Sequence, residues 1–174
     1  MRSILLLTFL AVGLTSVSDP TVAADVSRLE LHQREEVVLS HQRFVGNVRA
    51  QAKREGIIVR VPQLYVYFTD QSAAWHLHGF RRGFERELGL MVEHQRRERS
   101  MVGIDRLLER TVTPEGEAYV AEDLPEADLY ILLYRQAGCD ECLIVDSTVT
   151  NWLAEQRGLD VVWFDVWIDR HEMD

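Results

Sequence analysis

Positive charge is in short supply in this chain of 174 residues. Lysine and arginine total 19, against 28 aspartates and glutamates, which gives a formal net charge of −9. Nucleic acids and anionic lipid surfaces are bound through clustered positive charge. Arg81-Arg82 and Arg96-Arg97 are local basic spots, but glutamates lie near both pairs, which favours solvated helix faces. The composition therefore argues against nucleic acid or an anionic membrane surface as the main partner.

Signatures of several enzyme classes are missing as well. The chain contains no phosphate-cradling glycine loop, no nucleophilic-serine elbow and no paired-histidine metalloprotease motif. No apolar run after the N-terminal region has the length of a membrane span. The two cysteines and the six histidines are therefore the main candidates for a functional site.

The N-terminus has the pattern of a secretory signal peptide. One positive charge, Arg2, precedes an apolar core of about eleven residues, which is too short for a stable anchor. Val22 and Ala24 occupy the small-residue positions of a cleavage site. We expect residues 1–24 to be the signal peptide and the protein to be periplasmic or secreted. An uncleaved leader is the alternative, and membrane association is expected only in that case.

Apolar periodicity divides the rest into an N-terminal helix and one α/β domain. Helical spacing through residues 25–56 predicts an amphipathic helix. A segment rich in Val, Ile and Tyr predicts a strand over Leu64–Phe68. Residues 71–90 lack β-branched side chains and predict a helix capped by Asp70. We expect three shorter elements beyond it, namely a strand at 90–93, a broken helix at 95–110 and an edge strand at 118–121.

The last third of the chain has the clearest pattern. It predicts a strand over Leu129–Tyr134, a helix from about Cys142 to Glu155 and a strand over Val161–Ile168. Residues 64–93 can be laid over this segment as a second β-α-β unit. Alternating strands and helices with right-handed crossovers imply an α/β layer fold for residues 57–174.

Cys139 and Cys142 are the only two cysteines, and their spacing is typical of a redox pair. They lie where the strand passes into the helix, so free N–H groups and the helix dipole can stabilise a thiolate. In an exported protein the pair could instead be a structural disulfide. A bridge across two residues closes a very small loop, however, and small loops give the least entropic stabilisation.

The segment from Ile131 to Cys142, with the helix and strand that follow, resembles the central β-α-β unit of thioredoxin-like proteins. The resemblance spans about residues 129–169 and includes an aromatic residue, Tyr134, five positions before the first cysteine. It implies a three-layer α/β sandwich. It also implies that Cys139 attacks a substrate disulfide and Cys142 resolves the mixed disulfide. We expect no cofactor and no metal.

Three features depart from the family pattern. Gly138 stands where an aromatic residue is usual. Asp140 and Glu141 place carboxylates between the sulfurs, which opposes thiolate formation and predicts a more reducing couple than in strongly oxidising relatives. The family fold continues after its third strand with a cis-proline, a β-hairpin and a helix, so the fold here is incomplete or rearranged. In a permuted order, Pro62 would lie beside the cysteines and bind substrate; otherwise Pro62 simply starts a strand.

The sequence thus predicts an exported thiol–disulfide oxidoreductase or isomerase. Its partners would be protein thiols and disulfides of exported proteins, together with a redox partner protein. The alternative is a non-enzymatic periplasmic accessory protein, for example of a conjugation or secretion apparatus, in which the cysteines form a structural disulfide. A zinc or copper site at His76, His78, Cys139 and Cys142 is disfavoured, because residues two apart share a side only in a strand.

Overall fold

A six-stranded sheet organises residues 23–34, 61–99 and 101–168, which are the residues that the computed structural model describes. In chain order the elements are β1 (Asp25–Gln33), β2 (Gln63–Phe68), β3 (Ala73–His78), α1 (Phe84–Glu93), α2 (Ile104–Leu108), β4 (Thr111–Val112), a 3₁₀ turn (Ala121–Asp123), β5 (Leu129–Arg135), α3 (Asp140–Glu155) and β6 (Asp160–Trp167). Within these ranges, no helix combines the length and the hydropathy that a membrane span requires.

The sheet has the strand order β3-β2-β5-β6-β1-β4. Strands β5, β6 and β1 are parallel, whereas β2 runs antiparallel to β5 and β3 antiparallel to β2. The two-residue β4 pairs antiparallel with the end of β1. Strand β5 is central and covered on both faces, which explains its uninterrupted apolar run.

Helices and loops cover the two faces of the sheet. Ile131 and Leu133 of β5 face α1 and α3, where they join a core with Leu88 and Val149. The alternate residues of β5 face the other side and pack with α2, in a second core that includes Leu132, Tyr134, Leu107 and Leu108. This alternation follows from the pleat of the strand.

The predicted α/β class is confirmed, and so are four predicted elements. The strands expected over Leu64–Phe68, Leu129–Tyr134 and Val161–Ile168 are β2, β5 and β6, and the helix expected up to Glu155 is α3. Their ends differ from the prediction by at most two residues. Local periodicity suffices for these elements, because the fold buries the same side chains that the apolar spacing marks as a core face.

The helix predicted over residues 25–56 is wrong for its first nine residues. Asp25–Gln33 forms β1, which pairs in parallel with β6 along its length. Leu29 and Leu31 alternate with polar residues and turn towards the α2 side of the sheet. The helical spacing that suggested otherwise came from residues further along, and 35–60 lie outside the described residues.

The helix predicted over residues 71–90 begins late. Ala73–His78 is the strand β3, and α1 starts only at Phe84. Asp70 caps a turn rather than a helix, because its carboxylate accepts a hydrogen bond from the Ser72 N–H at 3.0 Å. Backbone pairing with β2 overrides the weak helical preference of this segment.

The smaller elements were also predicted incorrectly. Residues 90–93, expected as a strand, are the last turn of α1, so the first of the two proposed β-α-β units does not exist. The helix expected over 95–110 is limited to α2, and the edge strand expected at 118–121 is reduced to one bridge between Val112 and Ala118.

Two substitutions on α1 test how this helix packs. Leu88 is fully buried in the core, whereas Leu90 is 48% exposed. We expect Leu88→Ala to lower the free energy of unfolding by about 2–5 kcal/mol, because it leaves a cavity. Leu90→Ala should stay within about 0.5 kcal/mol of the wild type. Urea unfolding curves provide the measurement, and equal losses for the two variants would contradict the packing described.

Candidate functional site

A disulfide joins Cys139 to Cys142 at the N-terminus of α3. The S–S distance is 2.07 Å and the two Cα atoms are 5.2 Å apart. Gly138, with φ at 69°, provides the left-handed turn that leads from β5 into the helix. Cys139 is half-buried, whereas Cys142 is only 1% exposed. Cys139 is therefore the more accessible of the two residues.

Cys139 is also the N-cap residue of α3. Its Sγ accepts a hydrogen bond from the Cys142 N–H at 3.1 Å. After reduction, the same N–H and the positive end of a 16-residue helix would stabilise a thiolate on Cys139. Asp140 and Glu141 are exposed in the first turn, and their negative charge acts against that thiolate.

Pro62 lies at the same end of the sheet as the cysteines. It immediately precedes β2, whose first residue, Gln63, pairs with Tyr134 near the end of β5. Pro62 is buried, the Val61–Pro62 peptide bond is cis, and the Pro62 carbonyl accepts a hydrogen bond from the Gly79 N–H at 2.9 Å. Because β5 leads directly into the Cys139 turn, the start of β2 and the cysteine pair share one edge.

An ion-pair cluster, Arg28–Arg135–Asp146–Asp165, joins the start of α3 to three strands. Asp146 Oδ1 is 2.8 Å from Arg28 Nη2 and its Oδ2 is 2.8 Å from Arg135 Nη1. Arg135 Nη1 is also 2.9 Å from Asp165 Oδ1, and Arg28 Nη1 is 3.4 Å from Asp165 Oδ2. Asp146 lies one helical turn after Cys142, so the cluster holds the cysteine-bearing end of α3 against β1, β5 and β6.

Two tryptophans extend this cluster through cation–π contacts. The Arg28 guanidinium carbon lies 4.1 Å from the centroid of the Trp163 ring, and that of Arg135 lies 4.8 Å from the Trp167 ring. Trp163, Asp165 and Trp167 occupy alternate positions of β6, and Trp163 is buried in the core. The cluster has no signal in the sequence, because its four charged members are far apart in the chain and each resembles a surface charge.

The charges of the cluster shift the pKa of Asp146 downwards. Burial of the Asp146 carboxyl raises its pKa, but the hydrogen bonds and charges of Arg28 and Arg135 lower it by more, to below the ordinary 3.8. The pKa of Arg28 is raised, mainly by its hydrogen bond to Asp146. Both groups are therefore charged at neutral pH.

His76 and His78 are two residues apart on β3 and therefore share one side of the strand. Their ring centroids are 6.2 Å apart. The His76 ring stacks on Tyr65 at 4.2 Å, and its Nε2 is 3.1 Å from Gln63 Oε1. Among the described residues, no group of three or more His, Cys, Asp or Glu side chains could hold a metal ion. His76 is thus part of a packed polar contact beside β2.

Comparisons of the chain with models of protein families, with curated proteins and with solved structures give no match. The function of the site is therefore inferred from its geometry.

Removing the Asp146 charge should destabilise the protein at neutral pH. Asp146→Asn leaves Arg135, whose side chain is only 11% exposed, with one carboxylate in place of two. We expect a loss of about 1.5–3 kcal/mol in the free energy of unfolding, the usual range for a hydrogen bond to a charged group. Urea unfolding at neutral pH measures the loss, and Asp140→Asn, at an exposed carboxylate of the same helix, serves as the control.

The stability that the Asp146 charge contributes should also depend on pH, and it should decrease in acid. Because the folded-state pKa of Asp146 is lowered, its contribution is fully present above the ordinary value of 3.8. It is lost as the pH falls through the lowered folded-state pKa. The stability difference between wild type and Asp146→Asn should therefore shrink in strong acid, and a difference that grew there would contradict the ion-pair assignment.

Proposed function

We propose that this chain is a thiol–disulfide oxidoreductase or isomerase of exported proteins, built on a thioredoxin-like fold with a permuted order of elements. The observation that carries the proposal is the position of the cysteine pair. Cys139 is partly accessible and caps α3, the helix that follows the parallel strand β5. Its partner Cys142 is buried three residues further along the helix. An attacking sulfur backed by a resolving sulfur needs this arrangement.

The strand order supports the permuted fold. In thioredoxin-like proteins, a proline, a β-hairpin and a helix follow the β-α-β unit. In the proposed permutation β5-α3-β6 corresponds to that unit, and Pro62, the β2-β3 hairpin and α1 come before it in the chain. The hairpin nevertheless lies against β5, and α1 packs on the same face of the sheet as α3. A permuted chain requires both contacts.

The site can exchange disulfides in two balanced steps. In the reducing direction, the Cys139 thiolate attacks a substrate disulfide, forms a bond to one substrate sulfur and releases the other as a thiolate. Cys142 then loses its proton and attacks Cys139 Sγ, which frees the second substrate thiol and restores the Cys139–Cys142 disulfide. The substrate gains two electrons, and a redox partner protein reduces the pair again. The reverse sequence oxidises a substrate dithiol.

Trapping of intermediates distinguishes this function from a structural disulfide. With Cys142→Ser, we expect the Cys139 sulfur to form stable mixed disulfides with a disulfide-containing protein such as insulin, because no resolving thiol remains. Cys139→Ser should form none. Non-reducing gel electrophoresis and mass spectrometry provide the readout.

An equilibrium redox titration of the wild type complements the trapping experiment. A couple far below about −300 mV would be typical of a structural disulfide. If such a potential were found, and if wild type and Cys139→Ser were equally inactive in disulfide reduction, the enzyme proposal would fail. The remaining interpretation would then be an accessory protein with a static bridge.

The two carboxylates inside the motif should keep the couple reducing. Repulsion from each exposed carboxylate raises the free energy of a nearby thiolate by about 0.3–0.7 kcal/mol, which lies in the range for exposed charge pairs. We expect the double substitution Asp140→Asn/Glu141→Gln to accelerate alkylation of reduced Cys139 at mildly acidic pH by roughly three- to tenfold. The potential of the pair should become more oxidising. Glu155→Gln, at the other end of α3, is the control, and equal rates for the three proteins would contradict the argument.

A further inference from the structure

Two adjacent apolar side chains lie exposed directly after the buried cysteine. Leu143 is 58% exposed and Ile144 is 44% exposed. Leu90 and Val120 are the other exposed large apolar residues in the part of the chain that the structure describes. The core face of α3 is already complete, with Cys142, Val145, Val149, Trp152 and Leu153 buried. Leu143 and Ile144 are therefore not required for packing within the described fold.

The exposed residues form a stripe that starts beside Cys139. Positions 140, 143, 144 and 147 follow the i, i+3, i+4, i+7 spacing of one helix face, and all four residues are exposed. Leu143 lies four residues beyond the N-cap, which is about 6 Å along the axis at 1.5 Å per residue. A polypeptide whose sulfur reaches Cys139 can therefore extend along this stripe.

Within α3, the charged residues beside the stripe are acidic. Asp140 and Glu141 are exposed in the first turn, and the last turn of α3 contains no basic residue. Arg135, the basic residue at the end of β5, is hydrogen-bonded to Asp146 and Asp165 and does not neutralise this surface. The surface near Cys139 thus combines apolar area with negative charge.

We infer that this stripe, from Asp140 to Ser147, is the docking surface for the polypeptide around a substrate cysteine, and that it selects segments with an apolar residue and a basic residue near that cysteine. The inference rests on the proposed function and names its substrate class. The apolar residue packs on Leu143 and Ile144, and the basic residue pairs with Asp140 or Glu141. A second copy of this chain is a poor occupant, because both copies would bring acidic stripes together and each chain carries a net charge of −9.

Two disulfide-linked model peptides and one small disulfide test the inference. One peptide carries Leu and Lys next to its cysteine, and the other carries Ser and Glu at the same positions. Bis(2-hydroxyethyl) disulfide is too small to reach the stripe while it reacts. Each reaction of the reduced protein forms a bond between Cys139 and the attacked sulfur and releases the other sulfur as a thiol. Stopped-flow tryptophan fluorescence or thiol trapping gives the rates.

We expect the wild type to react about tenfold faster with the Leu/Lys peptide than with the Ser/Glu peptide. Leu143→Gln/Ile144→Gln should lose most of that preference while its rate with the small disulfide stays unchanged. The matched control is Leu90→Gln/Val120→Gln, which should retain the preference. Leu90 adjoins Gly89, which lies against Trp152 in the C-terminal half of α3, away from the cysteines. If the double variant does not fold, Leu143→Gln alone provides the comparison.

The outcomes separate the two proposals. Exchange with the small disulfide but no preference between the peptides, or a preference that survives in the Leu143/Ile144 variant, would overturn the docking surface alone. Failure to react with any disulfide would overturn the proposed function and the docking surface with it. Sedimentation that shows a wild-type dimer and a monomeric Leu143/Ile144 variant would assign the stripe to a second copy, and would also overturn the inference.

Discussion

Strand β5 is hydrogen-bonded on both sides, in parallel to β6 and antiparallel to β2, and the arrangement of the site depends on this double pairing. The parallel partner positions α3, because a helix must connect β5 to β6 across one face of the sheet. The antiparallel partner brings the start of a distant hairpin to the end of β5. Neither pairing alone would place Pro62 and the cysteines at one edge.

The charged cluster around Asp146 reinforces this arrangement from within the fold. It joins α3 to β1, β5 and β6, so the orientation of the cysteine-bearing helix is set by side chains as well as by apolar packing. Removing one member of such a partly buried cluster lowers the stability of the fold, because the remaining charge is shielded from water and has lost its partner. Its net charge is zero, which leaves Asp140 and Glu141 to determine the sign of the surface near Cys139.

The sequence was informative where local pattern and tertiary environment agree. The β5-α3-β6 segment could be predicted because its strands are buried runs and its helix has one apolar face. Strand β3 could not be predicted in the same way, since its Ala and Leu residues and lack of β-branching favour a helix. A usable signal was present nonetheless: Trp75 and Leu77 alternate, and the Asp70–Ser72 turn separates them from β2. The partners of Asp146 had no local signal, because only the folded sheet brings them together.

The pairing of β1 with β6 has a kinetic consequence. Asp25 pairs with Asp160, so the first described strand pairs with the last one, and contacts of such high sequence separation slow folding. Because the chain is synthesised from its N-terminus, almost the whole domain must be made before the hydrogen bonds between β1 and β6 can form. During that interval its backbone is an open edge, which is prone to intermolecular association. Completion of the charged cluster, through Arg28 of β1, is therefore among the last events of folding, so the cysteine helix is fully anchored only when the domain is complete.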